Sequence, residues 1–125
     1  MSDWNPTELA RIQESDDLHI APFRADGKTA GTPTWIWSVV VDDQLYVRAY
    51  SGRGSRWYQS ALSQKAGRIH AAGLIKDVAF EPIPDPALND RIDDAYRAKY
   101  ADSNYLAPMV SERTRAATMR VTPRA

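Results

Sequence analysis

The order of apolar and polar positions divides the chain into short strands punctuated by three amphipathic helices. The most apolar run, Thr34-Trp35-Ile36-Trp37-Ser38-Val39-Val40-Val41, is β-branched and aromatic on both faces and reads as a central strand. Asp42-Asp43 makes a tight turn after it. From Gln44 to Tyr50, Leu45, Val47 and Ala49 then point one way and Tyr46, Arg48 and Tyr50 the other, completing a hairpin. Leu18 to Arg24 reads as a first strand, closed by the turn Ala25-Asp26-Gly27-Lys28. Arg68 to Ala72, a turn at Gly73, and Leu74 to Ile83 form another hairpin.

Helix signals fall between these strands. Asn5 is placed as an N-cap, Pro6 at the first helical position and Glu8 where a capping box would reach back, with Trp4 and Leu9 as a hydrophobic staple. That helix runs to about Ser15 and presents only Leu9 and Ile12 as an inner face. A second helix follows Ser55: Trp57, Tyr58, Ala61 and Leu62 share a side, and Gly67 stops it. A third starts at Asp85-Pro86 and carries the stripe Leu88, Ile92, Ala95, Tyr96, Lys99, Tyr100, which leaves Asp90, Arg91, Asp93, Asp94 and Arg97 facing solvent. The tail holds a helical turn begun by Ser111 and a last strand from Thr118 to Val121. This order describes an α+β, mainly β chain: one domain over residues 1–125, a split antiparallel β-barrel with peripheral helices.

Composition narrows the chemistry. The chain has 125 residues and no cysteine, so a disulfide framework, a thiol nucleophile and cysteine-ligated zinc or iron–sulfur sites are excluded. Sixteen basic and sixteen acidic residues cancel, which argues against nucleic-acid binding driven by charge. No apolar run approaches membrane-spanning length and the polar N-terminus lacks a signal-peptide pattern, so a soluble, cytoplasmic protein with no membrane partner is expected. Charge is nevertheless uneven. Arginines gather at Arg48, Arg53, Arg56 and Arg68 and again at Arg113, Arg115, Arg120 and Arg124, a distribution compatible with a local anion site.

The segment Ser51-Gly52-Arg53-Gly54-Ser55-Arg56-Trp57-Tyr58 is where that anion site would form. A strand empties into a helix there through two glycines, and a helix start offers unpaired amides beside two guanidinium groups suited to bidentate phosphate contact. An ordinary surface turn, with Ser55 as its N-cap, explains the same residues without a ligand. His19 and His70 form no recognisable ligand spacing and read as half-buried sheet residues. No metal site and no obligatory acid or base is visible.

The segment from Gly27 to Ile83 resembles the split β-barrel flavoproteins, namely the pyridoxamine-phosphate-oxidase-like proteins and the deazaflavin-dependent nitroreductases. Gly31-Thr32-Pro33, Trp35 to Val41, Leu45 to Tyr50 and Ser51 to Trp57 carry the likeness. Nearer still is a resemblance to the uncharacterised DUF2255 family, through Tyr46-Val47-Arg48, Gly52-Arg53, Trp57-Tyr58, Ala95-Tyr96-Arg97, Lys99-Tyr100 and Ala107-Pro108-Met109-Val110. The flavoprotein resemblance implies a homodimer with flavin mononucleotide (FMN) or a deazaflavin in a groove between subunits. It implies Arg48 as a phosphate contact on the strand and Ser51, Arg53, Ser55 and Arg56 as contacts in the turn. Trp35 or Trp37 would flank the ring, with Trp57 and Tyr58 at the ring or in the core. Many such flavoproteins carry lysine where this turn has arginine, and a guanidinium holds phosphate in a different geometry. Two functions follow: an FMN- or deazaflavin-dependent oxidoreductase acting on a small organic substrate, or a cofactor-free binding or accessory protein.

Overall fold

A computed structural model describes residues 4–15 and 18–124. Seven strands form one curled antiparallel sheet: β1 (Leu18–Pro22), β2 (Thr34–Trp35), β3 (Ser38–Val41), β4 (Gln44–Arg48), β5 (Ala66–Ala71), β6 (Leu74–Pro82) and β7 (Thr118–Pro123). Their order across the sheet is β2-β1-β5-β6-β7-β4-β3. Strands β2 and β3 are therefore the two edges of the sheet, yet only Ile36 and Trp37 separate them in sequence. The sheet must curl until its edges nearly meet, which makes a half-barrel. Ile36 ties the crossing down by donating its amide to the Leu18 carbonyl, 3.0 Å away.

The apolar run from Thr34 to Val41 is thus no central strand. It pairs with β1 at Thr34 and Trp35 and with β4 from Ser38 onward. Its two-sided apolar character has another cause. In β3, Val40 packs against a core that fills one face of the sheet, whereas Val39 and Val41 meet a second core under a helix. An edge strand covered on both faces carries the same sequence signature as a central one.

The first core gathers Leu18, Ile20, Leu45, Val47, Ile69, Phe80, Met119 and Val121 of the sheet. Helices α1 (Pro6–Glu14) and α2 (Arg56–Gln64) add Leu9 and Ile12, and Trp57, Tyr58 and Ala61. Trp4 joins them and donates its indole N–H to the Val121 carbonyl at 2.8 Å. The Asn5 side chain caps α1 by accepting from the amides of Thr7 and Glu8, while the Glu8 carboxylate pairs with Lys76 at 2.9 Å. Helix α3 (Pro86–Lys99), capped by Asp85, covers the opposite face of β3 and β4. Ile92 and Tyr96 of α3 pack there against Trp37, Val39, Val41 and Tyr46. Two one-turn helices, α4 (Leu106–Met109) and α5 (Glu112–Arg115), complete that layer before β7.

Helix α2 ends at Lys65, which adopts the left-handed conformation (φ 61°), and not at Gly67. Gly67 lies inside β5. A Cβ there would stand 2.6 Å from the Pro22 Cα and 2.7 Å from the Ala21 carbonyl oxygen, so β1 can approach β5 only because this residue has no side chain. The β3–β4 turn places Asp42 and Asp43 both at positive φ (51° and 63°), the geometry that suits the twist of a two-residue hairpin.

Candidate functional site

Three of the large exposed apolar side chains, Trp35, Tyr50 and Tyr105, converge on one cleft of about 630 Å³. Its remaining walls come from Ile36, Trp37, Tyr100, Ser103 and Met109, with Arg48 beneath. The fold explains the convergence. Trp35 ends β2 where the chain crosses between sheet edges, Tyr50 follows β4, and Tyr100 and Tyr105 bracket the segment leaving α3. Tyr50 and Tyr105 meet edge to face with centroids 6.1 Å apart. Trp37 and Tyr100 stack almost parallel, 3.9 Å apart, so one face of the indole is already covered and the pair forms a fixed wall. The Tyr100 hydroxyl anchors that wall by accepting from the Ser38 amide at 3.2 Å.

Arg48 lies under the cleft and is fully buried. Its Nε donates to Thr118 Oγ1 at 2.9 Å. One terminal nitrogen donates to Asp93 Oδ1 and to the Met109 carbonyl, the latter at 3.0 Å. The other donates to the Asn89 carbonyl and Oδ1 at 3.1 and 3.0 Å. A guanidinium has five N–H groups, and these bonds use all of them. Its charge sits 5.3 Å from the centroid of Tyr96, whose own hydroxyl is pushed well above the ordinary tyrosine range by burial and so stays protonated. Arg48 therefore has no donor left for a phosphate unless it gives up a protein acceptor.

Asp93 corrects a second expectation. It does not face solvent but is buried, with one oxygen on Arg48 and the other on Arg115, whose guanidinium also reaches Asp90 at 2.9 Å. Asn89, which the stripe on α3 did not single out, is buried beside it and donates to the Ile83 and Asp85 carbonyls. Asp93 falls three residues before Tyr96 and four after Asn89, on the inner side of the helix. That spacing was the available signal.

The other sequence-selected residues lie elsewhere. Gly52–Gly54 forms a 3₁₀ turn between β4 and α2, and Ser51, Arg53 and Arg56 are exposed around it. Ser55 occupies the N-cap position of α2 but its side chain makes no capping bond. Arg53 lines a separate cleft of about 510 Å³ with Tyr58, Pro82, Pro86 and Arg115. Trp57 is buried in the first core and is not among the residues lining the aromatic cleft. The two histidines are brought together: His19 and His70 stand directly opposite each other on β1 and β5, both half-buried. Among the described residues, no group of three or more His, Asp or Glu is arranged to hold a metal ion, and no helix is long and apolar enough to cross a membrane.

Sheet, helices and cleft define a mixed α+β half-barrel with an aromatic cleft at the crossing between its edges. A family model described as "Uncharacterized protein conserved in bacteria (DUF2255)" matches residues 8–121, and the chain belongs to that family. Among solved structures it is similar to the conserved hypothetical protein Rv2991 from Mycobacterium tuberculosis, with a TM-score of 0.62 and 16% identity over 98% of this chain and 81% of that one. At that identity the likeness is one of fold. No curated protein matches the chain.

Proposed function

We propose that the aromatic cleft holds a planar ring, and that the ligand is FMN or a deazaflavin serving an oxidoreductase that acts on a small organic substrate. The observation that carries this reading is the convergence of exposed Trp35, Tyr50 and Tyr105 on one cleft. Large apolar side chains left in contact with water at a single concave site mark a binding surface, and the cleft's volume lies in the range of ligand pockets.

The residues present fit the two halves of such a cofactor unequally. The cleft suits a ring, with Trp35 as a stacking face and the Trp37–Tyr100 pair as a rigid wall. Phosphate binding falls to Ser51, Arg53, Ser55 and Arg56, because the donors of Arg48 are committed. Arg53 opens on a different cleft from the aromatic one. A homodimer that sets the turn of one chain against the cleft of the other would join ring and phosphate sites, and we include that dimer in the proposal. A bound flavin would supply the hydride or electron chemistry, while this chain would orient the ring and exclude water from it.

One observation favours a second reading, a cofactor-free binding module. The residues lining the aromatic cleft include no His, Asp, Glu or Lys to move a proton. The ultraviolet–visible spectrum of the purified protein, taken before and after adding each cofactor and alongside its mass in solution, separates the two. A flavin-like band that stays with a dimer through gel filtration supports the oxidoreductase. No band and no uptake moves the assignment to the binding module.

A further inference from the structure

Arg113, on the one-turn helix α5, packs on Tyr50, a residue that lines the aromatic cleft. Its Nε donates to the Tyr50 carbonyl at 3.0 Å, and its guanidinium carbon lies 5.5 Å from the centroid of the Tyr50 ring, which is a wall of the cleft. The aliphatic stem rests on Gly52. A Cβ at that glycine would lie 2.6 Å from the Arg113 Cγ, and Gly52 also has φ +76°, so the absence of a side chain both permits the turn and seats the arginine. Helix α5 is fixed in turn by Thr114, buried, whose hydroxyl donates to the Pro108 carbonyl at 3.0 Å.

What this seating leaves open is the far end of the side chain. Arg48, Arg68, Arg91, Arg97, Arg115 and Arg120 each have a carboxylate within ion-pair distance. Arg113, which is exposed, has none among the described residues, and neither do Arg11, Arg24, Arg53, Arg56 and Arg124; of the Arg113 nitrogens only Nε is engaged. Two terminal amino groups, held in position by the stem, the Nε bond and the Tyr50 ring, remain able to make a forked contact to an anion. The seat on Gly52 and the Tyr50 ring presents these nitrogens beside a wall of the cleft.

We infer that Arg113 reads an anionic group, a phosphate or carboxylate, carried by the planar ligand of the aromatic cleft. This rests on the proposed ring site and names the chemistry that site selects. Arg113 thereby joins two features that otherwise lie apart, since it touches the cleft through Tyr50 and the arginine-bearing turn through Gly52.

The test compares ligands that share a ring and differ in charge: riboflavin against FMN, and 1-naphthol against 1-naphthyl phosphate, measured by titration calorimetry on the full chain. The phosphorylated member of a pair should bind roughly tenfold tighter, the size expected of a charge-assisted contact. Arg113→Gln keeps the stem on Gly52 and should narrow that gap severalfold, the neutral ring's affinity for each protein serving as its baseline. Arg113→Ala serves as a second variant, with circular dichroism confirming its fold. A gap absent from the wild type overturns the inference. So does a gap that both variants leave at full size, or one that narrows in the Arg53→Ala/Arg56→Ala protein and not in Arg113→Gln. If the naphthyl pair binds with an Arg113-dependent gap and neither flavin binds, the flavin reading fails and the inference stands. If no ring compound binds, both fall.

Discussion

Replacing Asp93 by alanine leaves the Arg48 guanidinium buried without its counter-charge, and that perturbation measures how the site is built. Arg48 has no exposed side-chain surface and Asp93 has 7%. Breaking a buried pair by removing one partner costs about 3–5 kcal/mol, because the remaining ion cannot recover its hydration. The second contact of Asp93, to Arg115, contributes less: that side chain is 26% exposed, and pairs so screened are worth about 1 kcal/mol or below. Against a total stability of about 5–15 kcal/mol for an ordinary domain, the loss is a large fraction. Equilibrium unfolding in urea should show the midpoint falling by about 2 M, taking a slope near 2 kcal/mol/M. Arg115→Ala, as the control for the screened contact, should stay within about 1 kcal/mol of wild type. Arg48→Met leaves Asp93 with only the partly exposed Arg115 and strands several neutral acceptors, so it too should destabilise. The double variant Arg48→Met/Asp93→Leu removes both charges, and its cost should fall below the sum of Arg48→Met and Asp93→Leu singly by about 2 kcal/mol or more. An Asp93→Ala protein within about 1 kcal/mol of wild type, or a cycle with no coupling, would refute the account of Arg48 as an internally satisfied cation.

Other consequences follow from local geometry. Gly67→Ala drives a methyl into the backbone of Pro22 and Ala21 and should destabilise by about 1–3 kcal/mol in the same unfolding assay, since neither backbone can yield without parting β1 from β5. In the turn after β1, the Asp26 carboxylate accepts from the Thr29 hydroxyl first and from the Thr29 and Lys28 amides next, which holds its pKa down from 3.8 to about 2. A depressed carboxylate stabilises the turn above pH 3.8, and that contribution is lost as pH falls through 2. Carboxyl NMR should find the low midpoint, and Thr29→Val should raise it; a midpoint near 3.8 in the wild type would remove the claim. The Arg53→Ala/Arg56→Ala protein should fold normally, both side chains being exposed, and should retain a phosphate-bearing ligand less well. Unchanged affinity in that folded protein would strip the turn of its assigned role.

Local signals were legible wherever one residue type dictates one conformation. Asn5-Pro6 and Asp85-Pro86 announced helix starts, Asp42-Asp43 and Gly73 announced hairpin turns, and the alternation from Leu45 to Ala49 sorted its two faces correctly between the cores. The Thr34–Val41 run misled because periodicity reports burial and not neighbours. It recorded that both faces were covered and was silent about which strand lay beside it, so a chain segment crossing from one sheet edge to the other looked like the middle of a sheet. Gly67 misled for a related reason. A glycine near a helix end is most often a C-cap, and only the approach of β1 shows that this one clears space between strands.

Of the residues that the sequence singles out, Trp35 and Trp37 lie in the aromatic cleft, whereas Arg53 opens on another. Trp35 and Trp37 line the aromatic cleft because large rings near a sheet edge can reach a concave surface from either face. Charge offers no such guide. Arg48 alternates with Val47 and with Ala49, which follows β4, and so had to enter the layer beneath α3, where an unpaired cation would be prohibitive. Its burial therefore requires a carboxylate on the covering helix, and Asp93, one turn before Tyr96, is the residue of α3 that meets it. Arg113 is the opposite case: it is exposed, so its charge stays solvated without a partner, and what marks it is the seat that Gly52 and the Tyr50 ring give it beside a wall of the cleft.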